Sequence, residues 1–280
     1  MAAEKTILVV DDDAVVHQLL AAVLAPYGWR MDSAYSGPEG LSRAEAASYD
    51  LVITDVRMPG MDGLELLRRI RQQRPDTKVL VMTADSTPEN VICSIREHAF
   101  GYVSKPFSPS EVAEMIAQAL DTPAWQDDIE VLSAVPEWIA LRVRCRMEAA
   151  TRVINFLREI KVELPDDQRE DIATAFHELL VNAVEHGAHS DPRKRLMVAY
   201  VKTTRAILYY ISDPGPGFSR DDLPHAALSN APEAPMEHVE VRRELGIRPG
   251  GFGILLARHL ADEVIYSEKG NEVLLIKYYT

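Results

Sequence analysis

The chain has 280 residues, of which 47% are hydrophobic, and its formal net charge at pH 7 is −13. This length is typical of about two globular domains. The negative charge argues against a nucleic-acid-binding protein, because such a protein needs a basic face to neutralise phosphates. No apolar run is long enough to cross a membrane or to act as a signal peptide. With only two cysteines, we expect a cytoplasmic protein that binds neither nucleic acid nor membrane.

The first part of the chain alternates short apolar runs with segments of helical spacing. The apolar runs are continuous, which is typical of strands that are covered on both faces. Five strands alternating with five helices predict an α/β domain with a doubly wound parallel sheet. The alternation ends at a polar stretch around Pro123. We therefore predict a first domain over residues 1–121 and a linker over residues 122–128.

A second domain is predicted over residues 129–280. It begins with a short strand, IEVLSA, and a long helix from Pro136, because apolar residues recur at helical spacing as far as Leu157. A second helix covers REDIATAFHELLVNAVEHG, and two strands follow. A proline-rich stretch, Ser219 to Pro249, leads to a third helix, GILLARHLADE, and to two final strands. Helices segregated from a mostly antiparallel sheet predict an α+β sandwich.

Polar side chains stand at the carboxyl ends of the predicted strands of the first domain, where doubly wound sheets bind ligands. These residues are, in chain order, Asp11, Asp12, Asp55, Thr83 and Lys105. Clustered carboxylates repel one another unless a cation is present, and Mg²⁺ accepts both carboxylate and phosphate oxygens. Asp55 is therefore predicted to be a nucleophile that forms an aspartyl phosphate. Lys105 would neutralise the phosphoryl charge, and Thr83 would donate a hydrogen bond to it.

The segments ILVVDDD, DLVITDVRMPGMDG, VLVMTA and GYVSKPF resemble the receiver domain of response regulators. The resemblance implies a flavodoxin-like fold, Asp55 as the phosphoacceptor, and an upstream histidine kinase or phosphotransfer protein as the phosphodonor. The residues that it assigns to magnesium binding are Asp11, Asp12, Asp55 and, through its backbone carbonyl, Arg57. The residues that it assigns to the switch upon phosphorylation are Thr83, Tyr102 and Lys105.

Three further polar residues of the first domain are interpreted as lying outside this site. Asp13 is expected to be an exposed acid at the start of a helix. His17 and His98 are expected to be surface histidines. A degenerate receiver that binds no phosphate is disfavoured, because every chemical position of the resemblance is filled.

Two motifs of the second domain carry candidate nucleotide-binding residues. FHELLVNAVEHG places Glu178 and Asn182 one helical turn apart among apolar neighbours. The Asn182 amide oxygen could bind Mg²⁺ of a magnesium-bound triphosphate, and Glu178 could deprotonate an attacking hydroxyl; the alternative is an amphipathic helix with two solvated residues. In YYISDPGPGF, Asp213 could accept a hydrogen bond from the amine of adenine, and Gly215 and Gly217 permit close approach of backbone to a ligand. Taken alone, this second motif would also suit an ordinary turn.

A third motif, RPGGFGILLARHL, leads from glycines into a helix N-terminus, which predicts an anion site of backbone N–H groups. The long stretch before it is predicted to be either disordered or functional, in the latter case as a lid. Together the three motifs resemble the GHKL class of ATPases, which have a Bergerat-type fold, and within it the anti-sigma-factor serine kinases. The resemblance makes Glu178 the catalytic residue and Asn182 a metal ligand. The residues that it assigns to ATP binding are Asn182, His186, Asp213, Gly215, Gly217, Arg248, Gly251 and Gly253.

The two resemblances together predict a two-component response regulator in which phosphorylation of Asp55 controls an ATP-dependent serine/threonine kinase. The implied cofactors are Mg²⁺ and ATP, and the implied downstream partners are an anti-anti-sigma-type protein and a sigma factor. A homodimer is expected. Two alternatives remain open: a non-catalytic module that binds ATP or ADP and switches partners, and a kinase that phosphorylates a histidine on another protein. Autophosphorylation on a local histidine is disfavoured, because residues 121–165 contain none.

Overall fold

The computed structural model describes residues 5–84, 87–122, 128–160, 162–218 and 252–279. The chain divides into two compact units, and the main division falls between residues 127 and 128. The predicted linker and the proline-rich stretch lie mostly or wholly outside the described residues. In the part of the chain that is described, no helix has both the length and the apolar character that a membrane crossing requires.

Strands and helices alternate in the first unit, as predicted. The strands are β1 (Thr6–Val10), β2 (Arg30–Ala34), β3 (Leu51–Asp55), β4 (Lys78–Thr83) and β5 (Gly101–Ser104). The helices are α1 (Ala14–Leu24), α2 (Gly37–Ala46), α3 (Gly63–Gln73), α4 (Pro88–Arg96) and α5 (Pro109–Asp121). The sheet order is β2-β1-β3-β4-β5 and every pairing is parallel. The doubly wound, flavodoxin-like sheet is thus confirmed, with its topological switch point between β1 and β3.

The core of the first unit explains the continuous apolar strands. Ile7 and Val9 of β1 and Ile53 of β3 are fully buried, and they pack in one cluster with Leu20 of α1 and Ile116 of α5. A strand in the middle of a sheet that is covered by helices on both faces has no solvent side. Its apolar residues therefore run without alternation.

The second unit is built on an antiparallel sheet. Its strands are β6 (Ile129–Val135), β7 (Trp138–Arg144), β8 (Arg195–Lys202), β9 (Ala206–Ser212), β10 (Glu263–Tyr266) and β11 (Glu272–Tyr278). Its helices are α6 (Met147–Arg158), α7 (Asp166–Asn182) and α8 (Gly253–Leu260). The sheet order is β10-β11-β9-β8-β7-β6. Helix α7 packs against α8 and against strands β9 and β11, so the predicted α+β arrangement is confirmed.

The long helix predicted from Pro136 is wrong. Residues 129–144 form the β6–β7 hairpin, with Val135 opposite Trp138, and the helix begins only at Met147. Residues four apart lie on one face of a helix, but they also have the same parity along a strand. The apolar residues of β7 therefore fit both a helix pattern and a strand pattern. Trp138 lies exposed at the hairpin turn, whereas the buried face of a helix would not leave a tryptophan exposed.

Candidate functional sites

The carboxylate of Asp55 lies at the carboxyl end of β3 and is held by hydrogen bonds to both of its oxygens. The ammonium of Lys105 lies 2.8 Å from Oδ1 of Asp55 and 2.7 Å from Oδ2 of Asp11. The backbone N–H of Arg57 donates to Oδ2 of Asp55 at 2.7 Å. The fold therefore brings Asp11, Asp55 and Lys105, which are far apart in sequence, into direct contact.

The charges of this cluster perturb one another. Burial raises the pKa of Asp55, and the hydrogen bond and positive charge of Lys105 only partly oppose this effect. Burial alone would lower the pKa of Lys105, but its hydrogen bonds to Asp11 and Asp55 outweigh burial and raise that pKa. The lysine is therefore fully protonated at neutral pH, and a single positive charge is shared between two buried carboxylates.

Glycine at position 63 is required by the close packing of α3 on the end of β3. A Cβ atom there would overlap the backbone carbonyl oxygen of Asp55 and lie 2.8 Å from Oγ1 of Thr54. Gly60, in the same loop, has a φ of 85°, which favours glycine. The glycines after Asp55 thus allow the chain to turn sharply at the sheet edge.

The predicted switch residues lie on neighbouring parallel strands. Thr83 ends β4 and Tyr102 lies in β5, and both side chains are buried. The carbonyl oxygen of Thr83 accepts a hydrogen bond from the backbone N–H of Lys105 at 2.7 Å. The Lys105–Pro106 peptide bond is cis. These contacts place Thr83 and Lys105 side by side at the edge of the sheet that carries Asp55.

The interpretation of His17 as a surface histidine is wrong. His17 is buried in α1, and its Nε2 lies 2.8 Å from the backbone oxygen of Asp11. Its position between Val16 and Leu20, on the buried face of α1, is the sequence signal that would have revealed this. His98 is partly buried, whereas Asp13 is exposed and caps α1 by accepting from the N–H of Val15.

In the second unit, α7 and α8 bring three predicted residues together. Glu178 and Asn182 lie one turn apart on α7, and Gly253 is the first residue of α8. A Cβ atom at Gly253 would lie 2.8 Å from Oε2 of Glu178 and 3.1 Å from Nδ2 of Asn182. Both side chains therefore approach the N-terminus of α8 closely, and a side chain at position 253 would displace them.

A second group of predicted residues surrounds the carboxylate of Asp213, directly after β9. Oδ1 of Asp213 accepts a hydrogen bond from the N–H of Gly215 at 2.7 Å. The backbone of Asp213 is bound on both sides by Asn271, whose carbonyl accepts from the Asp213 N–H and whose side chain donates to the Asp213 carbonyl. Burial raises the pKa of Asp213, and the hydrogen bond from Gly215 opposes this effect.

Helix α7 continues into a π-helical turn, Ala183–Gly187, which connects the two groups. The N–H of Ala188 donates to the carbonyl of Ala183 at 2.9 Å. The turn leaves His186 exposed and places Gly187 against Asp213, where a Cβ atom would lie 2.7 Å from Oδ2 of Asp213. π-helical turns are rare in proteins, and those that occur often lie at functional sites.

Sequence reasoning missed two residues, Gly187 and Asn271. The signals for them were a glycine directly after the polar face of α7 and an asparagine in the Lys-Gly-Asn turn between the last two strands.

Gly217 packs against the last hairpin turn. Its φ is 82°, and a Cβ atom there would overlap the backbone oxygen of Lys269 in the turn between β10 and β11. The glycine is therefore required by packing of two backbone segments, and its approach to a ligand stays a prediction. The predicted residues Arg248 and Gly251 lie outside the described part of the chain.

Comparisons with known proteins identify both domains. Residues 7–117 match the family model of the response regulator receiver domain, and residues 143–277 match that of the histidine kinase-like ATPase domain. The chain joins a response regulator receiver domain to a histidine kinase-like ATPase domain.

Similar proteins include two transcriptional regulators and a solved receiver domain. The DNA-binding transcriptional regulator NtrC of Escherichia coli (strain K12) is 36% identical over 112 residues, which are 40% of this chain and 24% of NtrC. The transcriptional regulatory protein ResD of Bacillus subtilis (strain 168) is 38% identical over 109 residues, which are 39% of this chain and 45% of ResD. A CheY-like receiver domain protein from Methanospirillum hungatei JF-1 is 32% identical, with a TM-score of 0.42 over 42% of this chain and 95% of that chain. The chain thus spans less than half the length of these two curated relatives.

The donor atoms of the receiver site fit a hard divalent cation. Among the described residues, no three acidic, histidine or cysteine side chains converge as a preformed metal site, because Lys105 lies between Asp11 and Asp55 while Asp12 is exposed. Mg²⁺ needs only one or two carboxylates, since water and phosphate oxygens complete its octahedron. The carboxylates of Asp11 and Asp55, with Asp12 beside them, therefore suffice as the protein ligands.

The acceptor in the ATPase domain fits an adenine amine. Oδ1 of Asp213 is occupied by the N–H of Gly215, whereas Oδ2 has no hydrogen-bond partner among the described residues. A carboxylate that is partly removed from water gains more from a new N–H donor than an exposed one does. This free oxygen is thus suited to receive the donor that the sequence assigned to it.

Proposed function

We propose that this protein is a response regulator in which phosphorylation of Asp55 controls an ATP-dependent serine/threonine kinase. Its substrate is an anti-anti-sigma-type protein, and a sigma factor is regulated further downstream. The observation that carries the proposal is that one chain holds two clusters whose residue types suit phosphate chemistry, the Asp11–Asp55–Lys105 cluster and the Glu178–Asn182–Gly253 cluster.

The first reaction is phosphoryl transfer to the receiver domain. A carboxylate oxygen of Asp55 attacks the phosphorus of a phosphohistidine on an upstream histidine kinase or phosphotransfer protein. The new O–P bond forms as the P–N bond breaks, and the imidazole leaves with the bonding electrons. Lys105 stays bound beside the acceptor and balances the added negative charge. Asp11, Asp12, Asp55 and the carbonyl of Arg57 would hold Mg²⁺, which would supply further charge neutralisation when bound.

The signal is the added charge at Asp55. Phosphorylation replaces the single negative charge of the Asp55 carboxylate with about two on the phosphoryl group, at a site where Thr83 and Lys105 are neighbours. The Thr83 hydroxyl then donates to the phosphoryl group, and Tyr102 changes its packing in response. This two-state element controls the activity of the ATPase domain.

The second reaction is phosphoryl transfer from ATP to a hydroxyl of the partner. Glu178 accepts the proton of the attacking hydroxyl, and the γ-phosphoryl group moves to the oxygen as ADP leaves. Asn182 provides a ligand for magnesium through its amide oxygen. Asp213 orients the adenine, and the residues around α8, together with His186 and Arg248, bind the phosphates. We propose that the active form is a cytoplasmic homodimer.

The test is transfer of ³²P from [γ-³²P]ATP to a purified anti-anti-sigma-type protein. The proposal expects a labelled partner whose label survives acid, because phosphoserine is acid-stable. Replacing Glu178 with Ala should reduce labelling by about 10²- to 10⁴-fold, the usual effect of removing a general base. Acid-labile label would instead indicate transfer to histidine. ATP binding without any labelling of the partner would contradict kinase activity and leave a module that only binds nucleotide.

A further inference from the structure

His17 lies on the buried face of α1 and joins three segments of the receiver domain. Only 4% of the residue is exposed. Its Nε2 lies 2.8 Å from the backbone oxygen of Asp11, and its Nδ1 lies 3.0 Å from Oγ of Ser33 in β2. The ring of Tyr35 packs against the imidazole, with 4.5 Å between ring centroids. The imidazole therefore has a fixed position and orientation.

The chemistry of the two contacts determines which nitrogen carries hydrogen. A backbone carbonyl oxygen can only accept, so Nε2 of His17 must donate to Asp11. In the neutral ring, Nδ1 then accepts from the hydroxyl of Ser33. In the doubly protonated ring, Nδ1 donates to the same hydroxyl oxygen. The bond from Nε2 to Asp11 is the same in both cases, so its role does not depend on the protonation state of the ring.

This bond completes the fixation of Asp11. The N–H of Asp11 donates to Ala34 at 3.1 Å, and its carboxylate accepts from the N–H of Asp13 at 2.9 Å and from Lys105. The carbonyl that His17 holds belongs to the peptide plane between Asp11 and Asp12. Its orientation determines the direction in which the chain enters Asp12, which is otherwise exposed.

We propose that His17 is a positioning residue for the phosphorylation of Asp55, because it fixes the Asp11–Asp12 peptide and thereby the two acidic side chains that bind magnesium. This inference rests on the proposed function of the receiver domain. Groups that orient the ligands of a metal ion usually affect metal affinity as strongly as some of the ligands do. His17 touches neither the acceptor carboxylate nor the phosphoryl group, so it acts only through Asp11 and Asp12.

The test compares two substitutions in the full chain. His17→Phe keeps an aromatic ring against Tyr35 but removes both hydrogen bonds, whereas His17→Gln keeps an N–H donor for Asp11. Gln18→Ala, at the exposed neighbour on α1, is the control. Mg²⁺ affinity is measured from the amide NMR shifts of Asp12 and Asp13. We expect His17→Phe to weaken Mg²⁺ binding about 10-fold and His17→Gln to weaken it less than about 3-fold.

A second readout is the Mg²⁺ concentration that gives half-maximal phosphorylation by acetyl phosphate, which should rise by the same factor. Equal Mg²⁺ affinity in His17→Phe and Gln18→Ala would overturn the inference. So would equal losses in His17→Phe and His17→Gln, because the hydrogen bond would then be irrelevant. If His17→Phe does not fold, Ser33→Ala is tested in its place. This substitution removes the hydrogen bond at Nδ1 of His17 and should weaken Mg²⁺ binding about 3-fold. Unchanged Mg²⁺ affinity in Ser33→Ala would overturn the inference. If the unmodified chain takes no phosphoryl group, the proposed function fails, while the NMR titration still decides the role of His17.

Discussion

The backbone of Gly187 lies directly against the carboxylate of Asp213, so that a Cβ atom at position 187 would lie 2.7 Å from Oδ2 of Asp213. That oxygen is the one that we propose for the adenine amine. A side chain at position 187 would displace the carboxylate that it touches. The glycine therefore leaves the carboxylate of Asp213 in the position that we propose for binding the base.

We predict that Gly187→Ala weakens binding of ATP, ADP and adenosine to a similar extent, by about 10-fold or more, because it displaces a group that is common to all three. Isothermal titration calorimetry with the three ligands measures this. Gly253→Ala is the matched variant at the other group, where the new methyl group meets Glu178 and Asn182. It should weaken ATP binding much more than adenosine binding. If both variants lost affinity for ATP, ADP and adenosine in the same proportions, the assignment of Asp213 to the base and of the Glu178–Asn182–Gly253 group to the phosphates would be contradicted.

The pH dependence of nucleotide binding should reveal the ionisation of Asp213. Burial raises the pKa of this carboxyl group, and the ionised form is the better acceptor for an amine. Affinity for ADP should therefore be full above the raised pKa and should fall as the pH drops through it, earlier than for an ordinary aspartate. Asp213→Asn should bind ADP weakly and should lose this acid limb. The dissociation constant measured between pH 4.5 and 7.5, with circular dichroism to verify folding, tests the prediction; an unchanged acid limb in Asp213→Asn would refute it.

Asp55→Asn should stabilise the receiver domain at neutral pH. Because burial raises the pKa of Asp55, the ionised form is disfavoured in the folded state relative to the unfolded state. The Asp55 carboxylate therefore lowers the free energy of unfolding progressively as the pH rises from its pKa in the unfolded state through its pKa in the folded state. The gain on substitution should be about 1 kcal/mol in size near pH 7, and it should shrink as the pH falls toward 4. Urea unfolding at several pH values measures it, and a loss of stability at pH 7 would contradict the sign.

Lys105→Met should have the opposite effect on stability and should also slow phosphorylation. It leaves the buried carboxylates of Asp11 and Asp55 without their shared cation, so we expect a loss of about 2–4 kcal/mol in the free energy of unfolding. Phosphorylation by acetyl phosphate should fall at least about 10²-fold. Lys5→Met is the matched control, because the Lys5–Asp50 pair is exposed and should contribute less than about 1 kcal/mol. Phosphate-affinity gels give the rate; similar effects of the two substitutions would argue against a special role of Lys105.

The receiver fold could be predicted from sequence because each of its signals is local. A continuous apolar run predicts a buried strand, and the polar residue that ends it marks the functional edge of the sheet. Asp11, Asp55 and Lys105 meet because parallel strands end at the same edge. The burial of His17 could have been read from its position on the apolar face of α1, whereas its partner could not, because a sequence pattern does not identify backbone acceptors.

The ATPase domain was less predictable for physical reasons. Spacing of four residues is compatible with both a helix and a strand, so the strand β7 was assigned to a helix. The π-helical turn after Asn182 has no sequence signature, and it alone brings Gly187 to Asp213. The sequence indicated that Gly217 allows a close approach of its backbone. That it packs against Lys269 of the last hairpin turn is visible only in the three-dimensional structure.

The central claim is that the state of Asp55 controls the ATPase domain of the same chain. The most direct test is the rate of acid-stable ³²P transfer from [γ-³²P]ATP to an anti-anti-sigma-type protein, with and without acetyl phosphate, in the unmodified chain and in Asp55→Asn. The account predicts a rate that changes at least about 5-fold with acetyl phosphate, a typical coupling between two sites, and no change in Asp55→Asn. An equal rate under both conditions in the unmodified chain, or the same response in Asp55→Asn, would contradict it.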